Sequence, residues 1–250
     1  MFNSQHSLDS IFNVNDSNNH RVKALSTTRT GGVSLAPYDS FNLGDHVGDE
    51  QLKVVTNRQK LTAAVNGQSI QWLNQVHGDR VHELTAYSAK PYTADAVYTR
   101  LDNQPISILT ADCLPILLAA EDGSEIAAIH AGWRPLAAGI VVNTLNYFQS
   151  PATNVHAWLG PCIGPQKFEV GAEVRQQFVL NSIDNEQYFE KQSDGKYLAN
   201  LQGIATTTLQ QLGVIHITRS PYCTVSNPES FFSYRRDGQT GRMATVITKT

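Results

Sequence analysis

The sequence lacks a long apolar run, a basic stripe and any block of like charges. The net charge is −3, and nothing in the pattern favours binding to nucleic acid or to a membrane surface. The N-terminus, MFNSQHSLDSIFNVNDSNNH, has neither a basic region nor an apolar core of the kind that signal peptides carry. No run approaches the ~18 apolar residues of a membrane span. We therefore expect a cytoplasmic protein without a membrane or nucleic-acid partner.

Cysteine is scarce, and its spacing excludes a disulfide framework. The three cysteines, Cys113, Cys162 and Cys223, are odd in number and contain no C-x-x-C pair. This pattern is typical of reduced thiols in a reducing compartment.

Several catalytic signatures are also absent. The chain contains no G-x-x-x-x-G-K-[ST], no G-x-G-x-x-G and no G-x-S-x-G motif. A phosphate-loop NTPase site, a Rossmann dinucleotide site and a serine-hydrolase elbow are therefore unsupported. Pro161-Cys162 begins like the zinc deaminase signature, but the second cysteine is missing.

The residues that are present are sufficient for one large folded domain. The chain has 250 residues, of which 41% are apolar, so a sizeable core is expected. The first twenty residues are polar and rich in asparagine, and we predict a flexible segment there. Residues 21–250 contain no linker or repeat, which favours a single domain of mixed α and β structure.

The central stretch, residues 106–139, carries a cysteine and a histidine where apolar runs break off. Its pattern predicts strands over residues 106–109, 115–119 and 126–129, a turn at Asp122-Gly123, and then a helix opened by Pro135. Reactive groups are commonly exposed where strands end. Cys113 and His130 are therefore a candidate pair.

Outside this stretch the pattern predicts a long loop over residues 31–50 and three helices. The helices are expected over residues 50–66, 167–180 and 201–212. His77 precedes a Gly-Asp turn and is predicted to lie at the end of a strand.

His77, Cys113 and His130 are the ligand types that zinc prefers. Three protein ligands with an open fourth position define a catalytic zinc site. Spacing alone leaves their convergence open, because a histidine more often bonds a backbone carbonyl and a cysteine is more often a small buried apolar residue.

Seven motifs, in this order, resemble the laccase-domain family of YfiH type. They are TRTGGVSLAPYDSFNLGDHVGD, WLNQVHGDRV, ADAVYT, LTADCLPILLA, AAIHAGWRPLAAG, AWLGPCIGP and FFSYRRDGQTGRMAT. The resemblance implies an α+β fold in one domain, a four-layer αββα sandwich with mixed sheets, shared with cysteine-histidine deamidases of cysteine-hydrolase type.

The resemblance also implies a metal site that is catalytic, formed by His77, Cys113 and His130. Pro135 departs from the usual HAGWRG motif, but proline is tolerated in the first turn of a helix. The matching motifs suggest substrate contacts from Arg29, Asn42, Gln75, Asp112, Arg134, Arg235 and Arg236. Asp112 has two further interpretations, orientation of a ligand histidine or capping of a turn. The Arg235-Arg236 pair calls for an anion, either a carboxylate or a ligand.

Zinc is favoured over copper as the cofactor. The eight histidines include no H-x-H pair, so a trinuclear copper cluster is not supported. A single copper could use the same three ligands with a weak axial methionine, for which Met243 is the candidate apart from Met1.

The implied activity is phosphorolysis of adenosine, inosine and methylthioadenosine by inorganic phosphate, with adenosine deamination in addition. Zinc makes hydroxide available near neutral pH for attack on the purine, and arginine forks suit phosphate. The alternatives are a cysteine-nucleophile amidase acting on cell-wall precursor peptides, a copper-dependent polyphenol oxidase, and a non-enzymatic metal-binding module. A monomer or weak dimer is expected.

Overall fold

The computed structural model describes residues 22–250 and the backbone of a short strand at 5–7. The predicted flexible segment, residues 1–20, lies outside the described residues except for that strand. The strands, in chain order, are β1 (Gln5–Ser7), β2 (Val22–Thr27), β3 (Leu73–Asn74), β4 (Val81–Leu84), β5 (Tyr92–Thr93), β6 (Ala96–Thr99), β7 (Ile106–Thr110), β8 (Leu114–Ala120), β9 (Ile126–Ala131), β10 (Val155–Leu159), β11 (Glu169–Val170), β12 (Phe189–Lys191), β13 (Tyr197–Ala199), β14 (His216–Arg219) and β15 (Met243–Lys249).

The α-helices lie mainly between the strands of the second half of the chain. In chain order they are α1 (Gln51–Ala64), α2 (Trp133–Ala137), α3 (Ile140–Leu145), α4 (Ala172–Asn181), α5 (Leu201–Gln211) and α6 (Tyr234–Asp237). Together with the strands they make one domain of mixed α+β structure, as predicted.

Two large sheets carry the fold. The six-stranded sheet has the order β14-β10-β8-β9-β6-β4 and is mixed, because β14 and β4 run parallel to their neighbours while the inner pairs are antiparallel. The four-stranded sheet, β1-β2-β15-β7, is antiparallel throughout. Smaller sheets are formed by β11-β13-β12 and by β3-β5.

The six-stranded sheet is buried on both faces. Along β8, Ile116 and Leu118 belong to the apolar cluster shared with the helices α2 to α5, whereas Leu117 and Ala119 belong to the cluster shared with the four-stranded sheet. Successive side chains of a strand point to opposite faces, so a strand covered on both sides is a continuous apolar run. This is why LPILLAA shows no polar alternation.

The other face of the four-stranded sheet is covered by α1 and by the long loop before it. Leu61 of α1 packs with Leu109 and Val246 of the sheet, and with Phe41 and Leu43 of the loop. Asn57 of α1 is fully buried and bonds the loop at Val33, Ser34, Ser40 and Asn42. The loop over residues 31–50 therefore has no helix or strand of its own but is tied to α1 by hydrogen bonds.

Most of the predicted elements are confirmed, including the three central strands, the turn at Gly123, α1, α5 and the final strand. The predicted helix over residues 167–180 is wrong at its start. Residues Glu169–Val170 are a strand, and α4 begins only after Gly171, which is its N-cap. His130 lies inside β9 rather than after it, and His77 lies in a loop three residues beyond β3.

The helices of the described residues are short relative to a membrane span. None of them combines the length and the apolar character that crossing a bilayer requires.

Candidate metal centre

His77, Cys113 and His130 come together in space. Their potential ligand atoms all lie within 4.8 Å of one another, and within residues 22–250 they are the only such group of three or more. Nε2 of His77 lies 4.0 Å from Sγ of Cys113, and the two imidazole rings meet edge to face at 4.8 Å between centroids. Three segments far apart in sequence thus converge on one point.

His77 is held in place through its backbone rather than its ring. It has a φ of 58°, which is uncommon for a residue other than glycine. The carboxylate of Asp95 accepts the N–H groups of Val76, His77 and Gly78 at 3.2, 2.9 and 2.7 Å. These three bonds fix the loop that follows β3 and so direct the His77 ring.

Cys113 lies in the sharp turn between β7 and β8. The turn passes through Asp112, which has a φ of 90°. Gly132 faces the thiol so closely that a Cβ placed on it would lie 2.8 Å from Sγ of Cys113 and 3.5 Å from Cδ2 of His77. The HAGWR motif therefore supplies both a ligand and the small residue that leaves room for the thiol.

His130 is buried, with 3% exposure, and its partner is again Asp95. Nδ1 of His130 lies 2.8 Å from Oδ1 of Asp95, and the His130 N–H donates to the Asp95 carbonyl at 2.8 Å. A carboxylate that fixes the tautomer of a ligand histidine is a common feature of metal sites. Asp95 was not predicted as a functional residue. The one signal was its place in the ADAVYT motif, as a charge next to a strand that is otherwise apolar.

The three groups perturb one another's protonation. Burial raises the pKa of Cys113, but the nearby His130 and His77 outweigh it and bring the value to about 6. Burial lowers the pKa of His130, and the thiolate of Cys113 together with Asp95 raises it to about 9. At neutral pH the pair is therefore a thiolate and an imidazolium, the protonation state of an activated cysteine.

The donor set fits a zinc or copper ion. Around tetrahedral zinc, nitrogen and sulfur ligand atoms lie about 3.3–3.6 Å apart, so small side-chain movements from the present separations suffice. Two imidazoles and one thiolate leave the fourth position for water or substrate. Magnesium, a hard cation that prefers oxygen ligands, does not suit this group, because none of its three residues is a carboxylate.

The site opens into a cleft of about 770 Å³. That size is within the range of small-molecule pockets. His77, Cys113 and His130 form one wall, and Trp72, Arg58, Tyr234 and Arg242 are among the other lining residues. The ring of Tyr234 is exposed, and the guanidinium of Arg58 lies over the Trp72 ring at 4.2 Å.

Of the predicted substrate contacts, Gln75 lines the cleft. Its side-chain amide is engaged at both ends, because Nε2 donates to the Leu109 carbonyl at 2.8 Å and Oε1 accepts the Leu109 N–H at 2.7 Å. Asn42 is fully buried and bonds Gly44, Asp49 and the Arg242 N–H. Both side chains support the walls of the cleft.

Asp112 adjoins the site but points away from its histidines. Its carboxylate accepts from the hydroxyls of Thr224 and Ser233 at 2.6 and 3.0 Å and from the Arg235 N–H at 2.6 Å. Among the interpretations of Asp112, this arrangement corresponds to a turn-fixing residue. The carboxylate that contacts a ligand histidine is Asp95.

Four predicted arginines lie outside the cleft lining. Arg29 pairs with Asp39 at 3.3 Å, and Arg134 is exposed beside the Trp133 ring. Arg235 is exposed and donates to the Glu169 carbonyl, while Arg236 binds both oxygens of Asp237 at 2.8 and 2.7 Å. The anion beside Arg236 is thus a carboxylate of the chain itself.

Comparison with known proteins finds relatives along nearly the whole of residues 22–250. A family model described as multi-copper polyphenol oxidoreductase laccase matches residues 23–250. The chain is 49% identical over 231 residues to a Haemophilus influenzae protein named purine nucleoside phosphorylase, covering 90% of this chain and 93% of that protein. It is 47% identical over 227 residues to the Escherichia coli purine nucleoside phosphorylase YfiH, with the same coverage of the two chains.

Solved structures show the same fold. A Neisseria meningitidis protein superposes with a TM-score of 0.88 at 41% identity, covering 91% of this chain and 93% of that one. A Bacillus licheniformis protein titled YfiH superposes with a TM-score of 0.85 at 30% identity, covering 91% and 92%. The convergent His77, Cys113 and His130 thus sit in a fold that close relatives share, and the chain belongs to the laccase-domain family of YfiH type.

Proposed function

We propose that this protein is a purine nucleoside phosphorylase whose reaction takes place at the centre formed by His77, Cys113 and His130. The observation that carries the proposal is the convergence of these three side chains on one wall of a cleft of nucleoside size. The names of the relatives supply the reaction class, because both of the compared bacterial enzymes are called purine nucleoside phosphorylases.

In this proposal the three residues hold one zinc ion, and Asp95 orients two of them. A bound zinc acts as a Lewis acid and activates water near neutral pH. Asp95 keeps the His130 proton on Nδ1, which leaves Nε2 as the ligand atom. Trp72 and Tyr234 give the cleft aromatic surfaces against which a purine can stack.

The finer proposal is phosphorolysis of adenosine, inosine and methylthioadenosine to the free base and a ribose 1-phosphate, with adenosine deamination as a second reaction. Deamination draws on activated water, whereas phosphorolysis draws on inorganic phosphate. We further propose a cytoplasmic monomer or weak dimer, without nucleic-acid or membrane partners.

The fold proposal is a four-layer αββα sandwich of cysteine-hydrolase type. Its support is the set of three apolar clusters, in which the two large sheets pack against each other and helices cover their outer faces. The expected domain boundary, with a flexible segment over 1–20 before a domain over 21–250, is part of the same proposal.

The test of function compares metal-free and zinc-loaded protein. Each form is incubated with inosine or adenosine, with and without phosphate, and the products are separated by chromatography. We expect release of hypoxanthine or adenine only with both zinc and phosphate, and inosine from adenosine with zinc alone. Failure of the zinc-loaded form to convert any nucleoside would overturn the proposal.

A second candidate is a cysteine-nucleophile amidase that acts on cell-wall precursor peptides. Its specific support is the chain of contacts from Asp95 through His130 to Cys113, which has the roles of orienting acid, base and nucleophile. Turnover of a muramoyl-peptide precursor by the metal-free protein, with none of adenosine by the zinc-loaded one, favours the amidase.

The copper-dependent polyphenol oxidase is the less favoured alternative. Sδ of Met243, the candidate axial ligand, accepts the Phe232 N–H at 3.2 Å, and Met243 packs with Phe231 and Phe232 in an apolar cluster. This position gives no support to a fourth copper ligand of the blue-copper kind.

A further inference from the structure

Among the arginines of the described residues, Arg242 combines a place in the cleft with the lack of a carboxylate at ion-pair distance. It lines the cleft beside Cys113, and its guanidinium donates through one nitrogen to the carbonyls of Thr240 and Gly241, both at 3.0 Å. No ion pair within residues 22–250 involves it, whereas Arg29, Arg175 and Arg236 each have a carboxylate partner.

The lack of a carboxylate partner is unusual in the environment of Arg242. Its side chain is partly buried, and this burial lowers its pKa. Taking a guanidinium out of water without a paired anion is costly, so buried charges are normally paired or bind a ligand. The charges of Cys113 and Asp112 offset part of this cost, and the carbonyls of Thr240 and Gly241 engage only one of its nitrogens.

Strand register explains why the arginine is found there. Met243, the first residue of β15, pairs with Thr110 at the end of β7. Arg242 therefore precedes β15 at the level where the chain leaves β7 and turns through Ala111 to Cys113. The arginine and the thiol approach the cleft from neighbouring strands of one sheet.

A second arginine reaches the cleft from α1. Nε of Arg58 donates to the Leu43 carbonyl at 2.9 Å, and Nη1 of Arg58 lies 3.2 Å from Oδ2 of Asp45. The hydrogen bond from His46 and the charge of Arg58 lower the pKa of Asp45 to about 2, so this carboxylate is ionised at neutral pH. Arg58 and Arg242 thus bring two guanidiniums to the lining of one cleft.

The loop over residues 42–45 holds both arginines. Asn42 accepts the backbone N–H of Arg242 at 2.9 Å, Leu43 donates to the Arg242 carbonyl, and Arg58 bonds the Leu43 carbonyl. Gly44 packs against the Arg242 side chain so closely that a Cβ would lie 2.7 Å from its Cγ. The loop is therefore shaped around these two side chains.

From this arrangement we propose that Arg242 and Arg58 form the anion subsite of the cleft and bind inorganic phosphate, the co-substrate. The inference rests on the proposed function for the identity of the anion. Planar guanidinium forks bind phosphate oxygens in pairs, and two such forks line this cleft. The subsite replaces Arg235 and Arg236 as the location of the phosphate-binding arginines.

The test measures phosphate binding by itself. Zinc-loaded full-length protein is titrated with inorganic phosphate in an isothermal calorimeter, without nucleoside. We expect Arg242→Gln and Arg58→Gln each to weaken phosphate binding by about tenfold or more, since each removes charge-assisted hydrogen bonds. Arg235→Gln is the matched control, because Arg235 is exposed and outside the cleft, and it should bind phosphate as the wild type does.

Zinc content and far-ultraviolet circular dichroism check that each variant is folded and loaded. If Arg242→Gln does not fold, phosphate binding is measured on Arg58→Gln and Gly44→Ala instead. Gly44→Ala tests Arg242 indirectly, because the added methyl group displaces the Arg242 side chain. Unchanged phosphate affinity in the folded variants, or a loss confined to Arg235→Gln, overturns the inference. Absence of phosphate binding by the wild type overturns it as well.

The two proposals fail in different ways. If the protein catalyses phosphorolysis but its phosphate affinity is unchanged in both arginine variants, the proposed function stands and the proposed subsite is wrong. If phosphate binding depends on the arginines but no nucleoside is cleaved, the proposed subsite stands and the proposed function is wrong. Adenosine 5′-monophosphate provides a further arm, because tighter arginine-dependent binding of this ester than of inorganic phosphate would identify a nucleotide site and contradict the co-substrate assignment.

Discussion

Oδ1 of Asp95 lies 2.8 Å from Nδ1 of His130 and accepts the backbone N–H of His77 at 2.9 Å. One carboxylate oxygen thus supports both histidines of the centre. Burial raises the pKa of Asp95, but the hydrogen bonds from the His130 ring and the Gly78 N–H outweigh it and lower the pKa below its ordinary value.

Asp95→Asn should therefore weaken metal binding about 10–100-fold, because the amide cannot hold His130 in the same tautomer with the same charge. Competition with a chromophoric chelator measures the affinity. Asp79→Asn, a change at a nearby carboxylate that does not contact the centre's histidines, is the control. Equal affinities of Asp95→Asn and wild type would mean that Asp95 serves only the backbone of the loop.

Cys113→Ala should remove the metal without unfolding the domain, since a core of this size does not depend on a metal for folding. Protein purified without added copper is expected to contain about one zinc per chain, and the variant close to none. Elemental analysis measures the zinc content, and circular dichroism shows whether the variant is folded. Full occupancy in Cys113→Ala would show that other ligands bind it.

Gly132→Ala should act on the same site through sterics alone. The added methyl group would lie 2.8 Å from the Cys113 thiol and push it out of position. At Gly78 a Cβ meets only ordinary contacts at 3.7 Å, so Gly78→Ala should retain the metal. Metal analysis of the two proteins distinguishes a local clash from a general intolerance of alanine near the centre.

Alkylation of Cys113 in metal-free protein should depend on pH with a midpoint of about 6. The thiolate is the reactive form, so the rate is high above that pH and is lost as the pH falls through it. Iodoacetamide labelling followed by peptide mass mapping separates Cys113 from Cys162, whose pKa is raised by burial, and from Cys223. A midpoint near the ordinary thiol value of about 8.5 would contradict the thiolate–imidazolium pair.

Arg236→Ala should reduce stability rather than phosphate use. The guanidinium donates to the carbonyls of Thr224 and Phe231 as well as to Asp237, and its removal leaves these acceptors unpaired at a cost of about 1–3 kcal/mol. Urea unfolding measures the loss, and Arg235→Ala should change it by less than about 0.5 kcal/mol. A selective loss of phosphorolysis, with deamination and stability intact, would restore Arg236 as a phosphate ligand.

From the sequence, the positions of helices and strands could be predicted better than the pairing of the strands with one another. Apolar runs located the central strands, because a strand buried on both faces has an unmistakable composition. The start of α4 was missed because KFEVGAEVRQQFVL has Val170, Val174 and Phe178 four residues apart, a spacing that suits a helix, whereas pairing of Glu169–Val170 with β13 makes them a strand. Such pairing depends on residues far away in sequence.

The same limit applied to the site. His77, Cys113 and His130 were predicted by residue type and by motif, but Asp95 and the partners of each arginine were not. Asp95 reaches His130 because β6 and β9 pair with Ala96 opposite Ile129, a register that no local pattern reveals. Arg236 is followed directly by Asp237, so its carboxylate partner could be read from the sequence, whereas the place of Arg242 in the cleft depends on the pairing of β15 with β7.

Strand β15 lies between β2 and β7, and its Thr245 meets Ser26 across 219 residues of chain. During synthesis, therefore, β2 and β7 both wait with unpaired edges until the ribosome has released residues 243–249. Open strand edges are prone to pair with other chains, so the nascent protein passes through an aggregation-sensitive interval. Strand β15 also brings Arg242 beside the turn of Cys113, which means that the cleft is completed only after residues 242–249 have been synthesised.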